Sequence, residues 1–250
     1  MESPVPEVAR AIAALYGDEP LIARGVVHVC AAASGSDGRL RVLKIGDASP
    51  KSETDFFVLN LCRARADAIL TTAANLRAEP DLSHALQGPW AEALAAYRAE
   101  ALGKEAPLTC AILTRKADLP RTHPVWEDGT RKVILTIDAA VPALRQWLGD
   151  RAEVIALSGL DARRACSFLE ERGHGLVSVE AGPSTASALY DAPSVVDELL
   201  LSVFDGRVVD GQLGGLLPDE RRLLGDRRCV AAQRRSEASG AWRFQRWVRF

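Results

Sequence analysis

Two hydrophobic periods alternate along the chain. Residues 5–17 (VPEVARAIAALYG) space their apolar side chains as a helix does and stop at Gly17, which suits a helix C-cap. GVVHVCAAA, residues 25–33, is a run of small and β-branched residues followed by the turn-like SGSDGR, the pattern of a buried strand. Further on, the pattern predicts a helix over 52–65, a strand over 67–72 and an Ala-rich helix over 89–103 that closes at Gly103. Strands follow at 108–114 and 132–137, a helix at 139–149, a strand at 153–157 and a helix at 161–173 ending on Gly173. LVSVE, residues 176–180, reads as a strand running straight into the helical AGPSTASALYD, and another strand covers 196–204. The remainder reads as a Gly-rich loop (Gly211, Gly214, Gly215) and two antiparallel strands, 228–236 and 241–249.

Strands alternating with helices imply an α/β fold: a three-layer α/β/α sandwich whose sheet is mixed and mostly parallel. No polar linker divides the chain. The expected organisation is a helical N-terminal extension, residues 1–24, and a single domain over 25–250, with Pro80 to Pro107 as the best candidate for an insertion or flap.

Composition narrows the function classes. Hydrophobic residues are 48% and charged residues 26% of the 250, which is globular and not disordered. No apolar run approaches the roughly 18 residues a membrane span needs, and the N-terminus lacks a secretory pattern. The five cysteines are an odd number at wide spacing with no CxxC pair, which argues against a disulfide framework or a zinc knuckle and for a reducing cytoplasm. His28, His84, His123 and His174 form no local metal spacing, so no metal is expected. The net charge of −2 gives no general affinity for nucleic acid. One segment, Arg221 to Arg249, is rich in arginine interleaved with Trp242, Phe244, Trp247 and Phe250. Its period of two favours an edge hairpin with a solvated arginine face over a nucleic-acid surface.

Two strand-to-helix junctions carry the candidate chemistry. In LVSVEAGPSTASALY (176–190) a strand ends at Glu180, turns through Ala181, Gly182 and Pro183, and opens a helix at Ser184 or Thr185. Ligands of open parallel sheets bind beyond the carboxyl ends of strands, and a helix start there favours a phosphate. ADAILTTAANLRAEPDL (66–82) has the same form, with Thr71, Thr72 and Asn75 at the turn. Neither a G-x-G-x-x-G nor a phosphate-loop motif is present, which removes the dinucleotide fingerprint and the phosphate-loop NTPases.

These segments resemble the reductase domain of the riboflavin-biosynthesis deaminase/reductase, within the dihydrofolate reductase-like superfamily. DAILTTAANLRAEPDL stands where that family has a DAIL-turn with A-D-x-P, and LVSVEAGPSTA where it has L-V-E-G-G-P. SGSDGRL resembles its S-L-D-G-R turn, VVDELLLSV its VDEL strand, and residues 108–137 its middle segment, so that the likeness spans roughly residues 25–205. The deaminase zinc motif is absent. The resemblance implies a dihydrofolate reductase-like fold, NADPH as hydride donor and a homodimer. It places Thr71, Thr72, Asn75, Gly182, Pro183, Ser184 and Thr185 against the cofactor, with Thr136 near its adenosine half. It turns Glu180 and Glu79 towards the substrate, together with the Asp37 turn. A strand-end carboxylate half-buried beside an apolar ring can have its pKa raised and donate the proton that reduction of a C=N bond requires; Glu180 is the first choice and Glu79 the second.

The chain departs from the family pattern at several points. Asn75 replaces a Thr, Ala181 the first Gly of E-G-G-P, Glu79 the Asp before Pro80 with one residue fewer, and Gly35 a Ser. No Arg follows Pro80 to hold a ribose phosphate; Arg77, Arg39 and Lys51 are the possible substitutes. Three readings stay open. The first is an NADPH-dependent reductase of the phosphoribosylamino-pyrimidine of the riboflavin pathway. The second is a reductase of another small imine, carbonyl or pteridine. The third is a non-catalytic member of the fold that has lost the cofactor.

Overall fold

A computed structural model describes residues 3–44, 46 and 48–250; Met1 and Glu2 of the expected N-terminal extension lie outside the described residues. The helix α1 (Val5–Tyr16) precedes β1 (Gly25–Ser34) and β2 (Leu40–Leu43), which are followed by α2 (Glu53–Arg65), β3 (Ala68–Thr72) and α3 (Ala73–Ala78). The chain continues through α4 (Ala91–Ala96), which runs on as a π-helical turn over Tyr97–Ala101, then β4 (Thr109–Leu113), β5 (Arg131–Thr136), α5 (Val141–Leu148) and β6 (Glu153–Ala156). Next come α6 (Ala162–Glu171), β7 (Leu176–Val179), α7 (Pro183–Ser187), β8 (Glu198–Phe204), β9 (Leu213–Leu216), α8 (Glu220–Leu224), β10 (Arg227–Glu237) and β11 (Gly240–Arg249).

The strands make one sheet in the order β10-β11-β8-β1-β7-β3-β4-β5-β6, with β2 and β9 paired off this path. From β8 to β6 every neighbour is parallel, and the β10–β11 hairpin joins β8 antiparallel. Strands buried on both faces need near-continuous apolar runs, and alternate residues serve opposite layers. On β4 and β5, Cys110, Ile112 and Ile134 pack with Leu144 and Leu148 of α5, whereas Ala111, Val133 and Leu135 face Ala165 and Leu169 of α6. This is the expected three-layer α/β/α sandwich.

Three expectations are corrected. Residues 80–107 are no flap: α4 packs against α1 and α2, and Leu94 is fully buried. The Gly-rich segment is not a free loop. It forms β9, which pairs with β2, a strand that the short LRVL run did not announce. The arginines of the terminal hairpin are not all solvated: Arg227 and Arg246 are 4% and 1% exposed, while Trp242 and Phe244 fill the core as the pattern implies. Arg246 has an acceptor that no local pattern shows. Glu198, the first residue of β8, is shared between Arg246 Nε and Arg65 Nη2, each at 2.7 Å, and all three are buried.

Cys30, Cys62, Cys110 and Cys166 are buried as small core residues, and Cys229 is exposed; all five are free thiols. No helix of the described residues is long and apolar enough to cross a membrane. Among them no group of His, Cys, Asp or Glu could hold a metal ion.

Candidate active site

The sheet has a topological switch between neighbours β3 and β7. The chain leaves β3 through α3 towards β4 on one side and leaves β7 through α7 towards β8 on the other. Ligands of open α/β sheets bind in the crevice that such a divergence opens at the carboxyl ends. The two junctions singled out in the sequence meet there. Glu180 N donates to Leu70 O at 2.9 Å, so the second turn begins beside the first.

Asn75 ties the turns together. Thr72 caps α3 by accepting from Asn75 N at 3.2 Å, and Asn75 Nδ2 donates to Glu180 O at 2.8 Å. Thr71 Oγ1 donates to the same carbonyl at 3.1 Å. Asn75 therefore links the second turn to the first. The methyl of Ala181 packs against the main core cluster. Gly182 leaves the backbone approachable, since a Cβ there would meet nothing closer than Asn75 Oδ1 at 3.5 Å.

A cleft of about 270 Å³ opens at this edge. Thr72, Ala73 and Arg77 line it from the first junction, Thr185 from the second, and Leu113 to Lys116 from the end of β4. Arg77, Arg115 and Lys116 face a single carboxylate, Asp118, which pairs with Arg77 at 3.3 Å. A cationic rim and the three threonine hydroxyls of Thr72, Thr114 and Thr185 are a donor set that fits a phosphorylated dinucleotide, and the Gly182 turn stands beside the cleft without lining it. Arg77, expected on the substrate side, thus belongs to the cleft. Thr136 does not: its side chain is completely buried and its hydroxyl has no partner among the described residues. The residues that line the cleft at that side are Arg115, Lys116 and Leu160, which stand between the predicted elements with no motif to mark them. Pro183 and the exposed Ser184 begin α7, and β9 closes over it. A Cβ on Gly215 would come within 2.8 Å of Pro183 Cγ, so a glycine is needed at that crossing.

On the α2 side of the same strand end lies a carboxylate cluster. Glu180 is gripped by Arg63, with Nε at 3.0 and 3.2 Å from its two oxygens and Nη2 at 2.7 Å from Oε2. Both side chains are buried, at 2% and 8% exposure. Arg63 also donates to Ala85 O at 3.2 Å. His84 Nε2 lies 3.9 Å from Glu180 Oε2, its Nδ1 lies 3.6 Å from Cys110 Sγ, and its backbone N–H donates to Asp128, the buried partner of Lys132. Glu79, half-buried at the end of α3, has its pKa raised by burial first and then by the charge of Glu180, against a lowering by Arg63. Glu180 is thus held as the partner of a fixed cation, and Glu79 is the half-buried carboxyl group beside it whose pKa is raised. Arg63 was missed because it sits within a helix, 117 residues from its partner.

The Asp37 turn is not brought against these carboxylates. His28 of β1 pairs with Val179, and the strand runs on six residues to Ser34, about 20 Å further along. Asp37 accepts from Arg39 N and Arg41 within its own turn, Arg39 is exposed, and Lys51 donates to Gly46 O.

The family model for the RibD C-terminal domain matches residues 28–206. The chain belongs to this family. A pyrimidine reductase-like protein from Corynebacterium diphtheriae has a similar structure, with TM-score 0.67, 18% identity, and 96% of this chain and 98% of that one covered. RibD of Acinetobacter baumannii is similar at TM-score 0.62 and 15% identity over 91% of this chain and 58% of its own. The riboflavin biosynthesis reductase Rib7 of Saccharomyces cerevisiae gives 0.57 and 12% over 99% and 100%. These likenesses show the fold of the RibD C-terminal domain. No curated protein matches the chain by sequence.

Two buried histidines give this RibD C-terminal domain a pH signature. Burial lowers His84 to about 4, and burial with Arg227 lowers His28, whose Nδ1 lies 2.6 Å from Tyr190 Oη, to about 4. The unfolded chain binds these protons from about pH 6.5 downward and the folded one does not, so stability falls as pH drops through that window. Between pH 7 and 5 each histidine removes about 2 kcal/mol. Asp55, raised to about 6 by burial, acts with the opposite sign and returns about 1 kcal/mol. Urea unfolding at the two pH values should show a net loss of about 2–3 kcal/mol, and His84→Gln should remove roughly half of the histidine contribution. An unchanged pH slope in that variant would mean that His84 does not titrate as its burial requires.

Proposed function

We propose that the protein is an NADPH-dependent reductase of the riboflavin-pathway type, acting on a phosphoribosylamino-pyrimidine and yielding the ribitylamino form. The supporting observation is that one sheet edge joins a cation-rimmed cleft suited to phosphates with a shielded carboxyl group of raised pKa. Bound NADPH would supply the hydride. Arg77, Arg115 and Lys116 would hold its phosphates together with Thr72 and Thr185, and the Gly182 turn would let it approach the backbone. Glu79 would donate the proton to the substrate nitrogen. Arg63 would orient Glu180, whose charge favours the protonated form of Glu79.

A second reading within the same class has its own support. Residues 81–87 contain no Arg, and Arg63 is committed to Glu180, so neither supplies a free cation for a substrate phosphate beside Glu79. A reductase of a phosphate-free imine or carbonyl compound fits this feature. Turnover with the phosphorylated pyrimidine and with its dephosphorylated form separates the two, and strict dependence on the phosphate excludes the second.

The deciding experiment is a fluorescence titration with NADPH and NADH. Micromolar binding of NADPH, at least about tenfold tighter than NADH, is expected from the cationic rim. Gly182→Val should weaken NADPH at least about tenfold by obstructing the turn. Its backbone lies at φ −58°, ψ 158°, which any residue adopts, so the melting temperature should stay within about 3 °C. Unchanged NADPH affinity in Gly182→Val would remove this turn from the cofactor site.

A further inference from the structure

At the other end of the sheet, where β7 begins and α2 ends, a separate cavity of about 560 Å³ lies beneath α1. It shares no lining residue with the cation-rimmed cleft. Ile12 of α1, Leu21, Leu102 and Leu176 make it apolar, and Tyr97 and Arg65 add polar groups. Its size is that of a small-molecule site.

The charge in its wall is unbalanced. Arg65 and Arg246 share the single carboxylate of Glu198, with exposures of 3%, 1% and 0%, so the buried triad carries one net positive charge. Arg246 has every nitrogen engaged: Nε with Glu198, Nη1 with Glu19 O at 2.7 Å and Nη2 with Pro20 O at 2.6 Å. Arg65, the arginine that lines the cavity, spends only Nη2, on Glu198 and on Ile22 O at 2.8 Å. Its Nη1 is buried with no partner among the described residues. The other charges nearby are spoken for or solvated. Lys104 is paired with Asp67 and Glu19 with Arg228, and Asp18 is exposed. A buried guanidinium N–H without an acceptor is costly, and a carboxylate is its strongest neutralising partner.

We propose that this cavity binds a small apolar carboxylate, an aryl or short branched-chain acid, with its anion on Arg65 and its hydrocarbon against Ile12, Leu21 and Leu102. The anion balances the triad, and the apolar wall selects against small hydrophilic acids.

The test uses phenylacetate and its uncharged counterpart phenylacetamide, followed by thermal unfolding and by calorimetry. Phenylacetate should raise the melting temperature progressively, by about 5–10 °C at a hundredfold excess over its Kd, and phenylacetamide should not. Saturating NADPH should leave the phenylacetate Kd unchanged within about twofold, because the two sites share no residue. Ala13→Trp fills the mouth of the cavity from the exposed side of α1 and spares the buried triad; it should abolish the shift and keep the parent melting temperature within a few degrees. The proposal is overturned if phenylacetate gives no shift, if phenylacetamide gives an equal one, if the shift survives Ala13→Trp, or if NADPH displaces the acid.

Discussion

Glu79→Gln should lower the cofactor-dependent rate by about 10²–10⁴-fold, the range typical of a lost general acid. The substitution keeps shape and removes the proton. The proposal makes Glu79 the donor because of what surrounds it. Burial and the neighbouring Glu180 charge both raise its pKa, whereas Arg63 holds Glu180 through three contacts of 2.7–3.2 Å. In the proposed mechanism the protonated form is the active one, so the wild-type rate should fall as pH rises through the raised pKa of Glu79. That alkaline limb should vanish in Glu79→Gln. NADPH affinity should change by less than about threefold, because Glu79 is not among the residues that line the cleft. A rate loss with the limb intact would assign the proton to another group. Glu180→Gln behaves differently. It leaves the buried Arg63 cation with a neutral partner, so its loss of activity should come with a lower melting temperature.

The sequence made the elements legible, and in one respect the site as well. Period and caps located α1, α2, α6 and the parallel strands to within a residue or two because each is buried on a defined face and closed by a glycine or a polar cap. Gly17, Gly149 and Gly173 stand at positive φ where their helices end. The two junctions were visible for the same reason, since a strand running into small and hydroxylic residues is a local signal. What stayed hidden is non-local. LRVL and LGGL, at β2 and β9, are too short to show a period, and they become strands only by pairing with each other and with β1. Nothing local in the helix predicted over 52–65 marks Arg63 or Arg65 for burial, and only their acceptors, 117 and 133 residues away, explain it. The different surroundings of Glu180 and Glu79 have this origin. A carboxylate's function depends on the cation beside it, and here that cation comes from another layer of the fold.

Glu198→Leu should be the most damaging single substitution in the scaffold, with a loss of at least about 3–5 kcal/mol of unfolding free energy. Glu198 is wholly buried and neutralises two guanidinium groups, from α2 and from β11. Removing it leaves two buried guanidinium cations without their shared anion, and arginine cannot escape the cost by losing its proton. Against a total stability of about 5–15 kcal/mol this is a large fraction, and for a chain of this length it corresponds to a fall of roughly 10–15 °C in melting temperature. The triple variant Arg65→Met, Glu198→Leu, Arg246→Met separates the missing carboxylate from the value of the triad. With all charges gone the desolvation cost goes too, and such replacements are often neutral. Here the arginines also serve the carbonyls of Glu19, Pro20 and Ile22, which would lose their donors, so recovery to within about 2 kcal/mol of the parent is expected rather than a gain. Urea unfolding of the three proteins measures both quantities. If Glu198→Leu cost less than about 1 kcal/mol, the triad would not be the buried assembly described. If the triple variant were as unstable as the single one, the arginines would matter through the carbonyls they hold and not through their shared acid. The distinction bears on function, because Arg65 ends the same helical turn that carries Arg63. A change that frees the end of α2 also loosens the cation that fixes Glu180.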